Sequence, residues 1–129
     1  MGVADSSYKL AETCDVLADG IDTQRKAPGY TESGGEAATL DHLLSGLADA
    51  ADNMRTAGIA ASLESAKPSQ ASIDKATKQA KAVALKLKKA NDMITMAGSL
   101  LALTAAAASG NIPGIATAVA AVVSEAGQL

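Results

Sequence analysis

Apolar positions along this chain recur at alternating steps of three and four residues, the repeat of one face of an α-helix. Leu10, Cys14, Leu17 and Ile21 form the first stripe, while Glu12, Asp15, Asp19 and Asp22 keep the same rhythm on the opposite side. The pattern predicts an amphipathic helix with an acidic outer face within residues 1–24. Residues 25–35, "RKAPGYTESGG", hold Pro28 and three glycines without periodicity and read as a flexible connection. Ser33 followed by Glu36 has the spacing of a capping box for the next helix.

A second stripe, Leu40, Leu43, Leu47, Ala50, Met54, Ala57 and Ala61, predicts a helix over 36–66. "AKPSQAS" interrupts it at Pro68, and Ser69 or Ser72 is suited to cap a third helix. Ile73, Ala76, Ala80, Val83, Leu87, Ala90, Ile94, Ala97, Leu101 and Thr104 then hold one register, predicting a single long helix over 69–109. In "SGNIPG", Gly110 suits a C-terminal cap and Pro113 the first turn of a short apolar helix over 113–127. The expected fold is therefore all-α: an elongated antiparallel helical bundle of three to four helices, treated as one domain.

Helix lengths raise a problem at one end of that bundle. At 1.5 Å per residue the second helix would be roughly 48 Å long and the third roughly 60 Å, so the third overshoots an antiparallel partner. The overhang falls in a stretch from Met93 to Ser124 that contains no charged residue, closed by Asp92 and Glu125. Its large apolar residues, Leu100, Leu101, Leu103, Ile112, Ile115, Val119 and Val122, are the candidate interaction surface. Three environments satisfy such a tip: the protein's own bundle, a homo-oligomer, or lipid. Self-association is favoured by small residues four apart, Gly114 with Ala118 and Ala116 with Ala120 and Ser124. Insertion into lipid is favoured by the lysines of "KAVALKLKKAND", which precede the apolar stretch as at an anionic surface. Against lipid, neither arm supplies about 20 strongly apolar residues, and no Phe or Trp marks an interface.

Composition sharpens the fold and narrows the chemistry. Of 129 residues, 30 are alanine and only Tyr8 and Tyr30 are aromatic. Strand formers are scarce and the best helix former dominates, which reinforces the all-α reading. Because alanine buries little surface, such a core must depend on close helix approach. Charge is divided along the chain: residues 1–64 carry eleven acids and four bases, residues 65–129 three acids and seven lysines. Lys75, Lys78, Lys86 and Lys89 fall on one side of the predicted third helix, with Lys81 and Lys88 beside them, forming a basic face. That face is expected to lie against the acidic helices of the same molecule. It does not suit nucleic acid, since the chain has only two arginines, no aromatic near the lysines and a net charge of −3.

Catalytic and cofactor signatures are missing from the pattern. His42 is the only histidine and Cys14 the only cysteine; the expected helices keep them apart, and Cys14 lies on a buried stripe. "SGG" and "GNIPG" lack the spacing of phosphate or dinucleotide loops. No catalytic residue, metal ligand, cofactor site or small-molecule substrate is expected. The opening "MGVADSSYKL" is not a Sec signal peptide; it matches the loose N-myristoylation pattern through Gly2 and Ser6 but supplies no basic second signal. In layout, a long helical hairpin with one apolar tip resembles parts of α-helical pore-forming toxins and secreted translocators. The absence of Trp separates it from small secreted hairpin proteins of the Trp-x-Gly type. The sequence thus points to a non-enzymatic interaction or assembly protein, partnered by itself or another protein, with a membrane-active protein as the alternative. The expected location is cytoplasmic, or exported by a route without a Sec signal peptide.

Overall fold

The computed structural model describes residues 3–28, 35–55, 70–87 and 89–128. These residues form five helices and no strand: α1 Val3–Lys26, α2 Glu36–Met54, α3 Gln70–Ala84, α4 Ala90–Ser109 and α5 Ile112–Gln128. The capping box at Ser33, the stretch 56–66 of the predicted second helix, Pro68, Ser69 and Gly2 lie outside the described residues.

Two ion pairs fix α1 against α2. Arg25 pairs with Asp41 near one end and Arg55 with Asp15 near the other, so the helices run antiparallel. The side of α1 that carries Glu12 faces α3, where Glu12 pairs with Lys81. Here the order is the same along both helices: Glu12 meets Lys81, and Gly20 lies against the carbonyl of Ala84. Helices α1 and α3 are therefore parallel. The acidic stripe of α1, read from the sequence as a solvated face, is thus largely paired, because Asp22 also holds Lys26 at 3.0 Å within the helix. Exposed pairs of this kind contribute about 0–1 kcal/mol each, so they set register more than stability.

The predicted third helix is two helices. Its chain leaves α3 by a tight turn in which the Lys86 amide donates to the Val83 carbonyl, and Lys89 takes an extended conformation before α4 begins. No glycine or proline marks this break. Its cause is tertiary packing. Helix α2 packs on α1 and α4, whereas α3 packs on α1 and α5. Helix α5 returns from α4 after a two-residue connection and is shorter than α4, so it reaches α3 only because α3 is bent back from the α4 axis. The bend costs a few backbone hydrogen bonds, each worth about 1 kcal/mol. In exchange, apolar surface that a straight helix would carry past its partners is buried. Repulsion within the lysine run 86–89 further weakens a continuous helix there. Among the described residues the count is therefore five helices rather than three to four, and α3 and α4, expected as one helix over 69–109, have separate partners.

The core is assembled from Leu10, Leu17 and Ile21 of α1, Leu40, Leu47 and Met54 of α2, and Met93, Met96, Leu100 and Leu103 of α4. Helix α3 buries one large apolar residue, Ile73, with Ala76, Thr77, Ala80 and Ala84, and Val83 packs half-buried on the core. Leu47 and Leu87 are both buried, and Leu87 borders a groove with Val16 and Gly20 of α1. At the end of α4, Gly110 adopts a left-handed φ of 69°, which an L side chain would strain, and its amide closes the helix on the Ala107 carbonyl. Asn111 then accepts the Gly114 amide at 3.3 Å through its side-chain oxygen and starts α5.

Leu47 has no exposed surface, so Leu47→Ala should lower unfolding free energy by about 2–5 kcal/mol. Chemical denaturation followed by circular dichroism measures it; a loss below about 0.5 kcal/mol would place Leu47 at the surface.

Candidate functional site

The α4–α5 hairpin separates its side chains by size. Leu100, Leu103, Ile115 and Val122 are buried in the core. Leu101 is half-buried against α2, where a Cβ on Gly46 would sit 3.4 Å from its Cδ1, and Val119 is half-buried as well. Of the seven apolar candidates only Ile112 is exposed, at 42%. The outward face consists instead of Thr95, Gly98, Ala102, Ala105 and Ser109 on α4, and Pro113, Ala116, Thr117, Ala120 and Ser124 on α5. Each set keeps helical spacing, and neither contains a charge. Of the small residues noted in the sequence, Ala116, Ala120 and Ser124 face outward, while Gly114 is half-buried and Ala118 is buried. The sequence pattern reveals that these residues are small; which side faces solvent is decided only by the packing of α4 and α5 against α2 and α3.

One polar tie joins the two arms. The Ser99 hydroxyl donates to the Glu125 carboxylate. Burial pushes the Glu125 carboxyl above its ordinary value.

The predicted basic face is divided by the break. Lys75 and Lys78 are exposed on α3, Lys86 lies in the turn, and Lys89 sits on extended backbone, so the four no longer share one helical face. Lys75 and Lys78 instead border a groove of about 600 Å³ between α1 and α3, together with Lys9, Glu12, Asp74, Lys81, Thr13 and Thr77. The Lys81 ammonium, bonded to Glu12, holds that carboxyl below the ordinary carboxylate value. Thr13 and Thr77 donate to the carbonyls of Lys9 and Ile73, at 3.0 and 2.7 Å. The Asp74 Oδ1 atom is buried with no hydrogen-bond partner. Helical periodicity places Asp74 near the lysines, but nothing in the sequence signals that its Oδ1 will be buried.

Cys14 and His42 are not brought together. Asp15, beside Cys14, pairs with Arg55, and Asp41, beside His42, pairs with Arg25, which separates the two levels by about 15 Å along α1. Cys14 is buried, and desolvation first, then the neighbouring Asp15 charge, pushes its thiol up to about 12. His42 is exposed. Among the described residues no three metal-ligating side chains converge. No protein-family model, curated protein or solved structure matches the chain.

Cys14 should resist iodoacetamide in the native protein and react only as fast as the protein opens, because a buried thiol with a raised pKa supplies almost no thiolate. Reaction of folded protein at the rate of a free thiol, followed by mass spectrometry, would contradict this.

Glu125 gives a pH dependence with a definite sign. Its folded pKa is raised, so its contribution to stability is present below the unfolded value and is lost as pH rises through the folded one. Glu125→Gln removes the penalty, keeps an acceptor for Ser99, and should raise the melting temperature at about pH 7 but not near pH 4. A melting-temperature gain of equal size at both pH values would show that burial of the carboxylate is not its source.

Proposed function

We propose that this chain is a non-enzymatic assembly protein, a helical bundle that self-associates through the outward face of its α4–α5 hairpin. The observation that carries the reading is the contrast between the two sides of that hairpin. Its large residues are committed to the core, and what remains outside is small, uncharged and edged by exposed Ile112. Elsewhere, the exposed positions of α1, α2 and α3 carry acids and lysines that favour water. Small residues allow a second copy's helices to approach closely, so contact area is gained without large side chains. A charge-free surface also removes the cost of desolvating ionised groups. Self-association accounts for the small, neutral face without any cofactor or substrate, and is compatible with a cytoplasmic location or with export by a non-Sec route.

A membrane-active role is the second reading, favoured by one observation. Helix α4 is long and apolar enough to cross a bilayer by length and composition, a test that a core helix of a soluble protein also passes. In this reading the inward residues leave the core and meet lipid, whereas in the first they stay in place.

Substitutions at Leu101 cannot separate the two readings, since Leu101 packs against Gly46. Outward positions can. Ala105→Glu with Ala120→Glu should change monomer stability by no more than about 0.5 kcal/mol, as expected for surface sites. The same pair should convert a concentration-dependent oligomer to monomer by light scattering after size exclusion. A wild type that is monomeric at all concentrations and releases dye from liposomes would replace assembly by the membrane reading.

A further inference from the structure

We propose that self-association through the α4–α5 face is coupled to protonation of Glu125, so that the assembly strengthens as pH falls. The coupling rests on that face being the interface, and names what regulates it.

Glu125 closes the uncharged run from Met93 to Ser124 and is the only charged residue of α5. Its carboxylate is half-buried between the two arms, where it accepts the hydroxyl of Ser99, itself buried. Both partners adjoin the outward face. Glu125 follows outward Ser124, Ser99 follows outward Gly98, and outward Thr95 and Ala102 lie one turn before and after Ser99. A second copy laid on the face therefore spans the seam between the arms and removes water that still reaches the carboxylate.

Among the described residues no positive charge offsets that loss. Helix α5 packs on α4 and α3. On the flank of α4 that holds Ser99 the nearest charge is Asp92, seven residues earlier and also negative. Every charged residue of α3, Asp74, Lys75, Lys78 and Lys81, lines the groove with α1 instead. Glu125 also lies in the last turn of α5, where free carbonyls disfavour a carboxylate. Burial, with no neighbouring charge contributing, already raises its carboxyl above the ordinary value. Cover by a second copy raises it further. A neutral carboxyl keeps the Ser99 bond, because its carbonyl oxygen still accepts.

The sign follows from linkage. The assembled form holds a proton that the monomer has released, so association takes up protons and weakens as pH rises from the monomer's raised value through the still higher assembled one. Each pKa unit gained on contact is tenfold in the association constant per site.

Sedimentation equilibrium of the full chain tests this. Wild-type association should fall about tenfold or more between about pH 5.5 and about pH 7.5. Glu125→Gln, neutral at both, should associate at the higher pH as wild type does at the lower. The chain's net charge of −3 also shrinks as pH falls, which reduces repulsion generally. Asp19→Asn makes the same change of charge at an exposed position of α1 and should keep the wild-type pH dependence. Equal association of the wild type at both pH values, a dependence that survives Glu125→Gln, or its loss in Asp19→Asn overturns the coupling and leaves the interface standing. Wild type and Glu125→Gln that are monomeric at every concentration and both pH values overturn the interface, and the coupling with it.

Discussion

A core with so much alanine coheres only if helix axes come close together. Ten of the described buried apolar residues are alanines, and α3 buries a single large apolar side chain, Ile73, beside Ala76, Ala80 and Ala84. Dispersion and burial fall off quickly with separation, so an alanine surface held even slightly away from its partner contributes little. The chain meets this demand at two glycines. Gly20 of α1 lies against the Ala84 carbonyl, and Gly46 of α2 receives Leu101 of α4. An added Cβ at either glycine would already be in van der Waals contact with its neighbour, at 3.4 Å in both cases, so nothing larger fits between without displacing it.

The break between α3 and α4 is a consequence of the same demand. A straight helix over 69–109 keeps one apolar register throughout, yet it carries its weakly apolar surface beyond the reach of α1 and α2. Dividing it gives each half its own close partners, α1 and α5 for α3, α2 and α5 for α4. Position then separates function as well. The lysines before the break rim a groove with α1, while the uncharged positions after it form the outer side of the α4–α5 hairpin.

How far the sequence reveals this depends on whether a feature is decided locally. Gly110, Asn111 and Pro113 mark the α4–α5 turn by backbone chemistry, and that turn is legible in the bare residues. The break at Leu85–Lys89 carries no comparable mark, because the apolar register runs through it from Val83 to Leu87 and Ala90. It is settled by partners that lie elsewhere in the chain. The candidate surfaces divide in the same way. Periodicity identifies Leu100, Leu103, Ile115 and Val122 as one apolar group, but their inward direction leaves only Ile112 of the proposed tip exposed. Lys75 and Lys78 are visible as a basic pair, whereas the burial of Asp74 Oδ1 is a property of the folded chain.

Charge along the chain explains why close packing yields this arrangement and not a reversed one. The first half is strongly acidic and the second basic, so any compact state brings the acidic face of α1 toward lysines. Generic attraction of this kind does not choose a direction. Specific pairs do: Asp15 with Arg55 and Arg25 with Asp41 set α2 antiparallel to α1, while Glu12 with Lys81 fixes one level of α3 against it. Each pair is exposed enough to be worth little by itself. Their effect lies in penalising alternatives, because sliding or inverting an alanine-rich helix costs little packing but places like charges together. A core of small, similar residues is degenerate in register, and the surface charges supply the discrimination that the core lacks. The α4–α5 hairpin has no such charges between Met93 and Ser124, so its register rests on a different device: the fixed turn at Gly110 and the Ser99–Glu125 hydrogen bond at the far end.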